Sequence, residues 1–378
     1  MKIVCISASQ VPSSTANSIQ VQKVCQALAQ LGHDVVLLVP GSKEHPWEEL
    51  ASLYGLQHRF QIEWLRSQPG FRRYDFSMAA VRRAKALGVD LVYAWPPQAV
   101  LFSLMSGFPT MIELHGEPEG KFGPFVFRLI LRQPGIKRFL PISQALADII
   151  SQQFNYKFPE NELVVSPNGI DLERYNQLPG SAVARRTLGL KDTFTAAYTG
   201  HLYTGRGMGI LVELAKSFPE VQFLWVGGRP EDVESWKKRL AEQSTMNKNI
   251  CLTGFVENQR LPLYQAAADI LLMPYEQQIA GSSGGNSAAY CSPMKMFEYM
   301  GCGRAILSSD LPVLHEVLNE SNAVLCPPED SAAWVEAFSG LMNNPEKRDR
   351  LGRQAVQDVQ NYTWLERARK ALEGFYEK

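Results

Sequence analysis

Short apolar runs bounded by polar or glycine-containing turns recur along the chain, and between them apolar residues return at helical spacing. The runs have the length of buried strands, and the stretches between them are long enough for amphipathic helices. In the first half this pattern predicts strands over 3–6, 35–39, 90–94, 110–114, 138–141 and 163–166. Helices are predicted over 19–31, 77–87, 97–105 and 122–131, with another opening at Ser143. Gly32 stands where a glycine ends the first helix. Residues 41–70 show no clear period, and the segment 167–171, PNGID, turns the chain out of this half.

After a polar connector over 178–190 the alternation restarts. Strands are predicted over 194–199, 221–226, 249–253, 270–273, 305–309 and 323–325. Helices fall over 208–217, 231–243, 261–268 and 313–319, with one more opening at Ser292-Pro293, and 331–376 reads as helical throughout. Two successive strand–helix alternations predict an α/β fold of two doubly wound, Rossmann-like domains facing each other across a cleft.

Length agrees, since 378 residues exceed one ordinary core. A composition of 45% hydrophobic and 20% charged residues describes a water-soluble globular protein. The formal net charge is zero, so no basic field points to nucleic acid. The six cysteines are scattered without a C-x-x-C and read as reduced thiols, which suggests a cytoplasmic location. The opening MKIVCISASQ is too short for a signal or a membrane span. Peripheral contact at the inner membrane face is the closest approach to a bilayer that the sequence suggests.

The candidate chemistry centres on YCSPMKMFEYMGCG, residues 290–303, after a Gly/Ser-rich loop over 281–287. Ser292 reads as a capping hydroxyl with Pro293 in the first helical position. The N–H groups of Met294 and Lys295 would then be open at the positive end of the helix, with the Lys295 charge beside them. That is an anion site. Glu298, one turn on, could grip ligand hydroxyls. Phosphate below and hydroxyls above suggest a nucleotide sugar, although an ordinary capped helix with a solvated Lys and Glu looks the same.

A second cation, Arg206, stands in GHLYTGRG (200–207) at a strand's carboxyl end, bracketed by Gly200, Gly205 and Gly207. His201 could add a donor, and Gly227-Gly228 closes the next strand. Glycines there would let backbone approach a ligand; a flexible surface turn is the plainer reading. In the first half, the small residues Ala16, Asn17 and Ser18 allow similar approach, and His115-Gly116-Glu117 is a polar group at a strand's carboxyl end. No D-x-D or His/carboxylate cluster suggests a metal, so none is expected, and a diphosphate would be neutralised by Arg206, Lys295 and the helix end. The segment 121–132 interleaves Lys121, Arg128 and Arg132 with apolar residues. It reads either as a helix dipping toward anionic lipid or as a buried helix whose arginines reach out to water.

PNGID (167–171), YTGHLYTGRG (198–207), WVGGRPEDVE (225–234), AAADILLMPY (266–275) and SPMKMFEYMGCGRAI (292–306), in this order and spacing, resemble glycosyltransferase family 4. The resemblance implies a retaining enzyme of the GT-B fold. The second domain, residues 177–361, would hold a nucleoside diphosphate sugar. The first, residues 1–176 with a C-terminal helix over about 362–378 returning to it, would hold the acceptor. By the same resemblance Glu298 binds ribose hydroxyls, Arg206 contacts the diphosphate, His115 lies near the reacting sugar, and 13–18 replaces a glycine-rich loop. The family's first motif glutamate, eight positions before Glu298, falls on Tyr290, which implies altered sugar contacts.

The implied reaction is transfer of a sugar to a hydroxyl of a glycan, a lipid-linked glycan or a small molecule, with front-face attack assisted by the leaving phosphate. A non-catalytic nucleotide-sugar-binding protein and a sugar-nucleotide epimerase remain alternatives. Base, sugar, acceptor and oligomeric state are not legible in the sequence.

Overall fold

A computed structural model describes residues 1–71, 73–242, 248–279 and 286–375. Arg72, Gln243, most of the Gly/Ser-rich loop over 281–287 and Tyr376 lie outside the described residues. The chain divides into two compact units, Met1–Asn168 with Trp364–Lys378 and Gly169–Thr363.

The first unit runs β1 (Lys2–Ile6), α1 (Ala16–Gln30), β2 (Asp34–Pro40), α2 (Trp47–Tyr54), β3 (Gln61–Leu65), α3 (Tyr74–Leu87), β4 (Leu91–Ala94), α4 (Pro97–Met105), β5 (Thr110–Leu114), α5 (Gly123–Arg132), β6 (Lys137–Pro141) and α6 (Gln144–Phe154). Its strands pair in parallel in the order β3-β2-β1-β4-β5-β6. Central strands such as β4 and β5 are buried along their whole length, so most of their positions are apolar and a charged one, Glu113 in β5, has to be paired.

The second unit runs α7 (Ser181–Thr187), β7 (Thr195–Thr199), α8 (Met208–Ser217), β8 (Gln222–Val226), α9 (Pro230–Glu242), β9 (Ile250–Gly254), α10 (Leu261–Ala266), β10 (Ile270–Met273), α11 (Met294–Cys302), β11 (Ala305–Ser309), β12 (Val324–Cys326), α12 (Ser331–Met342) and α13 (Pro345–Asp358). Its parallel order is β12-β11-β10-β7-β8-β9. Counted within the unit, both sheets have the order 3-2-1-4-5-6, which reverses between β1 and β4 and between β7 and β10. Open α/β sheets place ligands at such switch points, beyond the carboxyl ends of the strands. The last helix, α14 (Trp364–Leu372), returns to the first unit, where Arg138 Nη1 donates to the carbonyl of Ala371 at 2.9 Å.

Several expectations need correction. The division falls after Asn168, not at 177, because Ile170 bridges Thr363 and the Tyr175 hydroxyl donates to Gln265 Oε1 at 2.9 Å, which ties this stretch to the second unit. Residues 163–166 form one bridge, Phe139 to Leu163, not a strand; the Ser166 carbonyl accepts from Arg367 instead. The polar connector hides α7, whose Arg185 is buried against Asp269 and Asp192. The helix expected over 313–319 is a 3-10 turn, Pro312–Glu316, in which the Leu314 N–H donates to the Leu311 carbonyl. The tail is not continuous, because Asn344 caps α13 with Pro345 behind it and a 3-10 stretch, Val359–Tyr362, precedes α14.

Candidate functional site

In the second unit the groups expected to bind an anion gather at the β7/β10 switch point. Beyond β7 the chain enters the loop 200–207 at Gly200, whose N–H donates to the Val226 carbonyl at 2.8 Å. Gly200 has φ +137°, and a Cβ there would lie 2.8 Å from Lys295 Nζ. At Gly207, φ +67°, a Cβ would lie 1.6 Å from the Pro274 carbonyl oxygen, so only glycine fits. The Glu276 carboxylate, beyond β10, accepts from the N–H groups of Gly205 (3.1 Å) and Gly207 (3.2 Å). The loop is therefore pinned and is not the free surface turn that its glycines also allowed. Gly227 and Gly228 make room for the protein itself: Cβ atoms there would lie 2.5 Å from the Gly200 carbonyl oxygen and 2.8 Å from the Leu202 side chain.

Lys295 stands in the first turn of α11 with its Nζ enclosed, 3.9 Å from the Tyr198 ring centroid and 5.4 Å from that of Tyr275. That Nζ has no hydrogen-bond partner among the described residues. Arg206 lies 5.0 Å from the Tyr203 ring and 5.2 Å from the same Tyr275 ring. Its Nη2 donates to the Tyr203 hydroxyl at 2.9 Å, while its buried Nε is unpartnered. Both cations thus gather on one tyrosine. Burial, then the Arg206 guanidinium, pushes the Lys295 ammonium well below its ordinary range, against an opposing pull from Glu298. His201, stacked on Tyr203, is pushed down to about 4 by burial and then by Arg206, Lys295 and Arg229. Its imidazole is neutral at pH 7. Two basic side chains packed on one tyrosine, with Lys295 Nζ and Arg206 Nε left unpartnered, keep buried donors open to an anion.

The tip of α11 differs from expectation. The helix begins at Met294, and Pro293, with ψ 125°, is the N-cap and makes no side-chain cap. Pro293 and not Ser292 therefore holds the N-cap position, and its extended backbone starts the helix one residue later than expected. The first N–H groups of any helix lack partners within it, so Met294 and Lys295 keep that property. Tyr299 locks this helix to β7, its hydroxyl accepting from the N–H of Thr199 at 2.8 Å. Glu298, one turn beyond Lys295, accepts from Gln265 Nε2 at 2.9 Å. Tyr290, at the position of the family's first glutamate, is buried.

At the first unit's switch point, Asn17 Nδ2 donates to Ser9 Oγ at 2.7 Å. Ser18 is fully buried, its hydroxyl donating to the Gln10 carbonyl at 3.0 Å and bonded to the Tyr54 hydroxyl at 2.8 Å. Its small side chain shapes the loop from inside. His115, just beyond β5, places Nε2 2.9 Å from Glu113 Oε1, and Glu113 is buried against Arg367 of α14.

Sequence reasoning missed Tyr198, Tyr203, Tyr275, Glu276, Glu113 and Arg367. A glutamate inside the buried strand TMIEL was the available signal, because an isolated buried carboxylate demands a partner.

The family model described as Glycosyltransferase Family 4 matches residues 18–174, and the model Glycosyl transferases group 1 matches residues 193–344. The chain is similar to a phosphatidyl-myo-inositol mannosyltransferase of Mycolicibacterium smegmatis, 23% identical over 383 residues covering 96% of this chain and 89% of that protein. It is also similar to an alpha-galactosylglucosyldiacylglycerol synthase of Streptococcus pneumoniae, 26% identical over 233 residues, 58% of this chain and 56% of that protein. The chain thus spans little more than half the length of the second relative. Among solved structures, Anabaena HepE in complex with UDP matches with TM-score 0.75 and 17% identity over 99% of each chain. Two Rossmann-like domains of this strand order are the GT-B architecture of glycosyltransferases. The chain belongs to glycosyltransferase family 4.

Proposed function

We propose that the protein transfers a sugar from a nucleoside diphosphate sugar to an acceptor hydroxyl, with anomeric retention and without a metal. The unpartnered Lys295 Nζ beside Arg206 at the β7/β10 switch point carries this reading. Arg206 and Lys295 neutralise the departing diphosphate, the role a metal would otherwise fill. Glu298 holds ribose hydroxyls; Gly200, His201, Ser292, Met294 and Tyr290 line the donor site, and Gly227 and Gly228 shape it by letting the loop 200–207 pack close. In the first unit, His115, with the loop of Asn17 and Ser18, orients the reacting hydroxyls. Family membership supports retention, and front-face attack assisted by the leaving phosphate is the route proposed for it. The test is a thermal-shift panel of nucleotide sugars, then transfer assays with and without chelator. Release of nucleoside diphosphate only with added acceptor, unaffected by chelator, supports a transferase; sugar interconversion without acceptor would make it an epimerase, and binding without turnover a binding protein.

Proton uptake provides a further check. An anion placed on Lys295 raises an ammonium that the empty site holds low, so binding takes up a proton and affinity falls as pH rises. Calorimetry of UDP or GDP binding in buffers of different ionisation heat should register that proton in the wild type and not in Lys295→Met. Buffer-independent heat in the wild type would show that Lys295 is already charged.

For the acceptor we propose a lipid-linked substrate reached by peripheral contact through α5. Val126, Phe127 and Ile130 are buried, but Phe122 (53% exposed) and Phe125 (58%) face outward near Lys121. The two relatives named above carry diacylglycerol and phosphatidylinositol in their names. No helix among the described residues is long and apolar enough to cross a membrane. The protein should sediment with anionic liposomes, and Phe122→Ser with Phe125→Ser should weaken this several-fold. Equal sedimentation of the double variant would exclude this face.

A further inference from the structure

The site of the first unit contains a buried charge network that the proposed reaction has so far not used. Glu113 is 3% exposed, inside β5. Its Oε1 accepts from Gln20 Nε2 at 2.9 Å and from Arg367 Nη2, and lies 2.9 Å from His115 Nε2; its Oε2 accepts from the Tyr93 hydroxyl. Arg367 in turn donates from Nη1 to the Tyr93 hydroxyl at 3.1 Å and from Nε to the Pro167 carbonyl at 2.9 Å. The Trp95 indole N–H donates to Gln20 Oε1 at 2.9 Å, so the Gln20 amide is oriented with its NH2 group toward Glu113.

These contacts determine protonation. Burial opposes the charge on Glu113, but Arg367, then His115 and Tyr93, hold its carboxyl below the usual range. An ionised carboxylate only accepts, so the proton between it and His115 must sit on Nε2. In a neutral imidazole the other nitrogen, Nδ1, then offers a lone pair. Nδ1 has no partner among the described residues, and the His115 side chain is 29% exposed.

We infer that Glu113, anchored by Arg367, is a positioning residue that fixes His115 in the Nε2–H tautomer, so that Nδ1 accepts a hydrogen bond from a substrate hydroxyl. This rests on the proposed place of His115 beside the reacting sugar, and it adds what the ring does there. Hydroxyls of a sugar or an acceptor are the matching donors. A substrate offering a carbonyl or phosphate oxygen to that nitrogen would be rejected.

The test is nitrogen NMR of histidine-labelled full chain, with His115 assigned from its loss in His115→Ala. The wild type should show Nδ1 unprotonated and Nε2 protonated near neutral pH. Glu113→Gln, whose amide can present N–H to the ring, should lose that preference. Its kcat should fall by about 10–100-fold, with donor KM within about twofold, the scale of loss when a positioned group is left misaligned. Glu113→Asp should restore part of kcat and the tautomer together. An Nδ1–H tautomer in the wild type overturns the inference whatever the variants do, and so does wild-type kcat in a folded Glu113→Gln. Full transfer by His115→Ala would instead remove His115 from the reaction, a failure the tautomer measurement keeps separate.

Discussion

Arg206→Ala is expected to lower turnover by about 10² or more, the usual loss when a preorganised charge is removed from a developing anion. The guanidinium is held between Tyr203 and Tyr275, and the Tyr203 hydroxyl fixes Nη2, so little reorganisation is needed when the diphosphate departs. Its loss also relieves Lys295 of a neighbouring positive charge, so the lysine regains part of its own charge. The Arg206→Ala and Lys295→Met effects should therefore not add. Steady-state kinetics on both singles and the double would measure this; near-normal turnover in Arg206→Ala would remove it from the mechanism.

Arg367→Met should cost about 3–5 kcal/mol of stability, because it leaves Glu113 buried without its counter-charge. The size follows from the asymmetry of buried pairs: the pair itself contributes modestly, whereas half of it is strongly unfavourable. Replacing both partners, Glu113→Leu with Arg367→Met, should recover much of the loss. Acid should narrow the difference. In the wild type, Glu113 is held below its usual value, so its contribution is complete above about pH 4.3 and is lost as pH falls further. In Arg367→Met the unpaired carboxyl is better protonated, so the variant approaches the wild type toward low pH. Urea titration of the first unit's transition would show this. A loss under about 1 kcal/mol would place the pair among weak surface ion pairs.

Strands buried on both faces were legible to the residue: 110–114, 270–273 and 305–309 match because a parallel strand between helices is apolar over most of its length. What failed were elements whose burial is polar or partial. β3 is half-exposed along its length, so residues 41–70 showed no period. In α7, Arg185 is buried by its ion pairs, and sequence alone reads such a helix as a linker. At the candidate site, Arg206 and Lys295 were visible because glycines and a helix start flagged them. The tyrosines around them were not, because Tyr198 in a strand looks like ordinary core. Glu113 and Arg367, 254 residues apart, carried no shared local signal.

That separation also constrains biosynthesis. As the polypeptide leaves the ribosome, β1 to β6 emerge long before α14, so the nascent first half must wait with an uncompensated acid in its interior until the arginine emerges, 254 residues after Glu113. The domain that starts first is therefore the one completed last, and chains cut short anywhere before Arg367 would display a partly assembled amino-terminal half for chaperones and proteases to find.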